Sequence, residues 1–410
     1  MLLQVIIIIG TARLLATVLR LFGQSPVIGE MTAGFVLGPV VFGSIAPQLY
    51  AEVFKTTTLA PLRGLADLGL VLFMFIVGAE LRLTGNRRRQ LVTATSIGVL
   101  SVVLPMAVGL GLAVLLYPSL APPKARFAPF ALFLAAAMSI TAFPVLARIL
   151  KDRGLVSTSV GRLALASAAT ADALSWLLLA LVVVVVEASH SWAHLERMLL
   201  GLIVLVAIAF VFCRPFIRWM TRRHAAGDLA SATLLAALVI GALSFACVTD
   251  TLGVHVVFGA FLFGICLPRD DQLLATLIER VEHVAIVILM PIFFALAGLK
   301  TTEDAFSGNS VLLMSLLIAA AILSKLAAAT LAARLSGQQW RAAFALGSLM
   351  NTRGMMELIV IQIGLDMGVI SQQLFTMLML MAIVTTAMTG PLLTLCDASK
   401  ARSPVVDASF

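Results

Sequence analysis

Four ionisable side chains stand in stretches of this sequence that are otherwise almost free of charge: Asp172, Lys325, Arg353 and Glu357. Asp172 lies in "SAATADALSWLLLA" (Ser167 to Ala180), where the nearest charges are Arg162 before it and Glu187 after it. Lys325 sits in "AAILSKLAAATLAARL". Arg353 and Glu357 are four residues apart and share a face if one helix runs through both. A charge at the centre of a bilayer costs at least about 2.5–3.5 kcal/mol on insertion scales, so each such group marks a functional site by default. A lone buried carboxylate holds a cation or a proton, but not both well, and competition for it is enough to couple two opposed fluxes. The plainer alternatives are a helix–helix hydrogen bond for Asp172, a structural salt bridge for Lys325 and an internal ion pair for Arg353 and Glu357. Arg13, Glu30, Glu80 and Asp250 fall nearer the ends of apolar runs, where snorkelling or a structural ion pair is expected.

Two apolar segments cannot be plain helix. "AMSITAFPVLARIL" places Pro144 shortly after Ser139, Thr141 and Ala142. Proline removes an amide donor and clashes one turn back. "LGSLMNTRGMMELIV" carries Asn351, Thr352, Arg353 and Gly354 in mid-run. The freed carbonyls and hydroxyls are intolerable against lipid and tolerable around a wet cavity. Interrupted helices at corresponding positions of two halves point to an inverted-repeat secondary transporter with its site at the midplane. Unwound carbonyls near Ser139 and Thr141 would coordinate a bare cation, and a nearby carboxylate would add charge and a second hard oxygen.

The composition fits such a setting. The 410 residues are 61% hydrophobic and 12% charged, with mean hydropathy +1.09, against about 25% charged in soluble domains. The chain therefore belongs in a membrane. Its net charge of +8 is spread rather than clustered, which argues against nucleic acid. Cys213, Cys247, Cys266 and Cys396 lie in or beside apolar runs without CxxC spacing, so buried thiols are expected, with no disulfide or metal cluster. No P-loop and no glycine fingerprint in a βαβ context are found, so neither ATP-driven pumping nor a cofactor nor enzymatic chemistry is expected. No cleavable leader is expected either.

With roughly 20 apolar residues per crossing, thirteen spans are predicted: 1–22, 26–46, 59–80, 91–117, 127–150, 161–186, 196–220, 229–249, 252–268, 281–300, 309–334, 341–366 and 372–396. The fifth and twelfth are the interrupted ones. If the C-terminus is cytoplasmic and the N-terminus outside, nineteen basic residues fall on the cytoplasmic side and six outside. That asymmetry supports both the odd count and the orientation. The loops are short, and with fourteen residues after Cys396 no soluble regulatory domain is expected.

The motifs in their order resemble monovalent cation:proton antiporters of the second branch, relatives of bacterial sodium/proton and glutathione-gated potassium antiporters and of plant cation/proton exchangers. The stretches that carry the likeness are "PVIGEMTAGFVLGP", "DLGLVLFMFIVGAEL", "SITAFPVLARIL", "LGVHVVFGAFLFGICLP", "PIFFALAGLKT" and "MNTRGMMELIVIQIGL", which together span nearly the whole chain. The resemblance implies an all-α integral membrane fold of about thirteen spans, with dimerisation and core subdomains interleaved in sequence and two crossed discontinuous helices. It also implies elevator-type alternating access, a homodimer, an inner-membrane location, and exchange of Na⁺ or K⁺ for H⁺. The family's ion-binding acid maps onto Asp172, the residue that would hold the monovalent cation, and a core lysine of some members onto Lys325. Its broken-helix signatures map onto Thr141, Ala142 and Pro144, and onto Asn351, Thr352, Arg353 and Gly354. Ser139, Thr141 and Thr170 are the candidate oxygen ligands beside Asp172, and Thr170 or Ser167 would replace the oxygen that residue 171 lacks. Lys325, Arg353 and Glu357 are assigned to charge balance.

One position departs from the family pattern. Before the acid, where members usually carry Asp, Asn or Gln, stands Ala171. With no second carboxylate there, exchange is expected to be electroneutral. Two rivals remain: a transport-inactive sensor or regulatory subunit, motivated by Ala171, and an organic-anion symporter of similar fold, motivated by Lys325 and Arg353.

Overall fold

The computed structural model describes residues 1–55, 58–80, 88–156, 158–187, 192–223, 228–252, 256–267 and 279–396. Arg82, Arg87, Arg269, Lys400 and Arg402 of the topology count, and the expected tail after Cys396, lie outside the described residues. So do the side chains of Glu80 and Pro144.

Runs that are apolar on every face must satisfy their backbone internally, and a helix does so within one segment. The chain accordingly forms α1 (Leu2–Leu21), α2 (Pro26–Leu37), α3 (Pro47–Val53), α4 (Leu59–Glu80), α5 (Arg88–Leu120), α6 (Phe127–Ser139), α7 (Phe143–Asp152) and α8 (Ser159–Glu187). There follow α9 (Trp192–Ile208), α10 (Arg214–Arg223), α11 (Asp228–Thr251), α12 (Val256–Ile265) and α13 (Glu279–Gly298). The last four are α14 (Ser310–Leu335), α15 (Trp340–Met350), α16 (Met355–Asp366) and α17 (Gln372–Leu395). No strand occurs among the described residues.

Nine helical runs among the described residues are long and apolar enough to cross a membrane: α1, α4, α5, α8, Leu200–Met220 across α9 and α10, α11, α13, α14 and α17. The other four expected segments hold shorter helices. They are α2, α12, and the two interrupted pairs α6/α7 and α15/α16. Single π-helical turns occur at Pro39–Gly43, at Ala209–Cys213 between α9 and α10, and at Ala285–Leu289 within α13.

The chain divides into two compact units, each discontinuous in sequence. The first comprises Met1–Thr11, Val41–Arg82 and Val183–Leu299. In it α12 packs against α4 and α11, and Phe263 stacks its ring near Phe75 (6.0 Å) and Phe245 (5.2 Å). Buried Gln4 ties the N-terminal helix down by donating from Nε2 to Val53 O (2.7 Å) and Thr58 Oγ1 (2.8 Å).

The second unit comprises Ala12–Val40, Leu83–Val182 and Lys300–Phe410, and holds both interrupted pairs. In it α5 packs on α6 and α14, and α14 on α15. The helix that carries Asp172 is drawn close to α5 at Gly98, where a Cβ would stand 2.7 Å from Ser167 O. Such contact distances between helix backbones require a residue without a side chain.

Candidate ion-binding site

The first interruption falls where the sequence places it. α6 ends at Ser139, residues 140–142 are extended, and α7 restarts at Phe143 with Pro144 in its first turn, where a missing N–H costs nothing. The second break runs from Asn351 to Gly354, between α15 and α16. The two breaks meet: the Ala142 amide donates to Thr352 O at 3.1 Å. Gly354 permits the approach, because a Cβ there would stand 2.7 Å from Val145 Cγ2. Gly354→Ala is therefore expected to destabilise the second unit by about 1–3 kcal/mol, the usual range for overpacking. A lowered thermal unfolding midpoint checks this. Val145→Ala in the same chain should recover most of the loss, since the two sites are in contact.

Breaking a helix leaves polar ends in a medium without water. The C-terminal end of α6 presents carbonyls that carry the negative end of its dipole. Arg353 serves two of them, donating from Nη1 to Ala137 O (2.7 Å) and from Nη2 to Met138 O (2.6 Å). Lys325 Nζ donates to the third, Ser139 O. The other acceptor of Lys325 is Ser101 O in α5, at 2.9 Å. Ser101 O lacks a donor within its own helix because the residue four further on is Pro105. Both carbonyls taken by Lys325 are thus orphans of a broken ladder.

Arg353 and Lys325 are fully buried, as are Glu357 and Asn351. Arg353 Nη1 also reaches Glu357 Oε1 at 3.1 Å, which makes a buried pair at spacing i, i+4. Glu357 lies in the first turn of α16, where the helix dipole favours an anion. The Arg353 backbone is pinned from α17: its N–H donates to Thr386 Oγ1 (2.8 Å), and the same hydroxyl donates to Arg353 O (2.7 Å). Asn351 Nδ2 donates to Thr385 O at 3.3 Å. Arg353 Nε, Glu357 Oε2 and Asn351 Oδ1 have no hydrogen-bond partner among the described residues.

Asp172 is 2% exposed. Its carboxylate accepts from the Phe143 amide at the start of α7, and Lys325 acts on it through space. Its Oδ1 has no hydrogen-bond partner among the described residues. The side chain lines a cavity of about 10 Å³ together with Ile140, Ser175, Met356 and Val360, a volume on the scale of one water or one bare monovalent cation. A carboxylate held by one amide, with its other oxygen unpartnered among the described residues, can take up either a cation or a proton.

The other predicted ligands are placed differently. The Ser139 hydroxyl donates to Ala136 O (2.8 Å), and its carbonyl is taken by Lys325. Thr170 Oγ1 donates to Ala166 O (3.0 Å), and its side chain lies against Gly98 of α5. Thr141 Oγ1 and Ser167 Oγ are buried without a partner among the described residues, but neither residue is among those lining the cavity. Ser175, which the sequence reading passes over, does line it, with its hydroxyl donating back to Ala171 O at 2.9 Å. The signal was present: Ser175 stands three residues after Asp172, on the same helix face. Ala171 is fully buried. Glu30, expected at a span end in a structural pair, is 1% exposed and lies 3.7 Å from Arg13 and 3.9 Å from Arg148.

Two crossed, interrupted helices with buried charges at their ends, inside a multi-pass helical protein, define a membrane transporter. The model of the family "sodium/hydrogen exchanger, transmembrane" matches residues 5–395, and the chain belongs to that family. It is 39% identical over 391 residues to the Na(+)/H(+) antiporter NhaS4 of Synechocystis sp., with 95% of each chain covered. It is 37% identical to cation/H(+) antiporter 17 of Arabidopsis thaliana and 34% identical to K(+)/H(+) antiporter 1 of Saccharomyces cerevisiae. These matches cover 96% and 95% of this chain, but it spans only 48% and 45% of those two proteins. The sodium proton antiporter MjNhaP1 of Methanocaldococcus jannaschii, solved at pH 8, superposes with a TM-score of 0.65 at 15% identity, over 97% of this chain and 95% of that one. At that identity the likeness concerns the fold.

Proposed function

We propose that the protein exchanges a monovalent cation, Na⁺ or K⁺, for H⁺, with cation and proton taking turns on Asp172. The observation that carries the reading is a buried carboxylate with one oxygen unpartnered among the described residues, on a residue that lines a cavity of single-ion size. Names of relatives on both the sodium and the potassium side agree with the exchange and leave the ion open. Asp172 supplies the charge, Ser175 is a further hydroxyl of the same helix lining the cavity, and Thr141 is the unpartnered hydroxyl of the first break among the described residues. Reconstituted vesicles holding a pH gradient test this directly. Addition of Na⁺ or K⁺ is expected to collapse the gradient in dye-reported proton flux, and a series from Li⁺ to Rb⁺ identifies the ion. No response to any of them would overturn the reading.

In this account the second unit is the mobile core of an elevator, since it holds both broken helices, and the first is the scaffold through which two copies pair. The basic-residue asymmetry supports an N-terminus outside and a C-terminus in the cytoplasm, in the inner membrane. The engagement of Lys325 and of Arg353 Nη1 and Nη2 with backbone carbonyls argues against the organic-anion rival, because both side chains already serve acceptors within the fold.

The cycle is electroneutral in this account. Arg353 is paired with Glu357, and the account requires Lys325, which donates to two carbonyls, to carry its proton unchanged through the cycle. One proton then replaces one cation on Asp172. Sodium exchange in vesicles under an imposed potassium-diffusion potential of either sign should keep the same rate and end-point. A potential-dependent rate would instead make Lys325 or Glu357 a second proton carrier.

A further inference from the structure

The second unit contains a larger cavity that the exchange reading does not use. Its volume is about 380 Å³, within the range of small-molecule sites. It lies between the end of α1, the turn leading into α2, the end of α7, and α17, and it is lined by Arg20, Gln24, Ser25, Arg153 and Thr386 among others. No acidic side chain is among the described residues lining it. The Arg20 side chain has no hydrogen bond or ion pair among the described residues, although it shares this space with a second guanidinium. Arg153 is fixed rather than loose: Nη1 donates to Thr394 Oγ1 (3.2 Å) and Nη2 to Gly23 O (3.4 Å). The rest of its five donors are left over. The first turn of the twelve-residue helix α2 also borders the cavity, at Pro26 and Ile28, and brings the positive end of a dipole.

Two guanidinium groups lining one cavity with no acidic side chain among the described residues around it give that cavity a positive potential that favours an anion. We infer that this cavity is a binding site for a phosphate group, carried either by an anionic lipid headgroup or by a soluble phosphate. Guanidinium groups and an amide around a concave wall are donors that phosphate oxygens take. Thr386, whose hydroxyl clamps the Arg353 backbone at the second break, also lines the site. An occupant therefore lies beside the residue that holds the crossed helices, which makes the site a regulatory one. The inference goes beyond the exchange reading and stands if that reading falls.

The test uses the purified full chain in a neutral detergent, followed by its thermal unfolding midpoint. In one arm inorganic phosphate is titrated against chloride at constant ionic strength. In the other, phosphatidylglycerol is titrated into the micelles against phosphatidylcholine. A saturable rise is expected in at least one arm, and the arm that saturates names the source. Arg20→Gln removes no internal contact, so its midpoint without additive should match wild type. Its apparent affinity in the saturating arm should fall about tenfold, the worth of one charge-assisted hydrogen bond. Arg20→Lys should keep most of it. Arg153→Gln should also weaken binding, with some loss of stability because it gives up its contacts to Thr394 and Gly23. No saturable rise in either arm, or the same rise in Arg20→Gln as in wild type, overturns the inference.

Discussion

Asp172→Asn is expected to abolish cation-dependent proton flux to the level of protein-free vesicles, while the protein still purifies and unfolds at or above the wild-type temperature. The amide has nearly the shape of the carboxylate and keeps an oxygen that can accept the Phe143 amide. What it loses is the charge that holds a cation and the proton that replaces it. Stability should not suffer, because an ionised carboxylate in an apolar setting is costly to keep. The paired measurement matters: loss of flux with a wild-type unfolding profile assigns Asp172 to the chemistry. Flux above the baseline removes it from the site.

Arg353→Met should produce the largest structural effect of any single substitution in the second unit. It strips donors from the carbonyls of Ala137 and Met138 and leaves Glu357 buried without its cation. Breaking a buried pair by removing one partner costs about 3–5 kcal/mol, whereas replacing both with apolar groups is often close to neutral. The double substitution Arg353→Met with Glu357→Met should therefore recover part of the loss but not all of it, because the α6 carbonyls remain orphaned. Thermal unfolding of the two variants against wild type reads both numbers. A single variant that unfolds at the wild-type temperature would mean that the Arg353 contacts do not hold the break together.

These contacts also show what the sequence could and could not disclose. Asp172, Pro144 and the run Asn351 to Gly354 were legible because an apolar span is a silent background, and a charge, a proline or an amide there has few structural excuses. The partners of Lys325 were not legible. A sequence reading looks for an acid to pair with a lysine, and here the acceptors are the backbone carbonyls of Ser101 and Ser139. One clue existed: Pro105 cannot donate to Ser101 O, so that carbonyl needed a donor from elsewhere. The hydroxyls of Ser139 and Thr170 looked like ligands by position alone. Their bonds back to Ala136 O and Ala166 O depend on side-chain rotamers that spacing does not determine. Ser175 carries no charge or helix-breaking character to mark it in the sequence, although at i+3 it is a geometric neighbour of Asp172. Two of the three π-helical turns, Ala209–Cys213 and Ala285–Leu289, carry no proline or glycine signal in their own residues. The division into two units joins residues hundreds of positions apart and follows no composition shift.

The central claim is that one carboxylate serves both ions, and proton release on cation binding tests it most directly. Purified protein in a weakly buffered detergent solution with a pH dye is titrated with Na⁺ or K⁺ chloride, using choline chloride as the ionic-strength control. The account predicts saturable release approaching one proton per chain from wild type at a pH where Asp172 is protonated, and none from Asp172→Asn. Equal release from both proteins would contradict it, as would no release from wild type at any pH at which the protein stays folded.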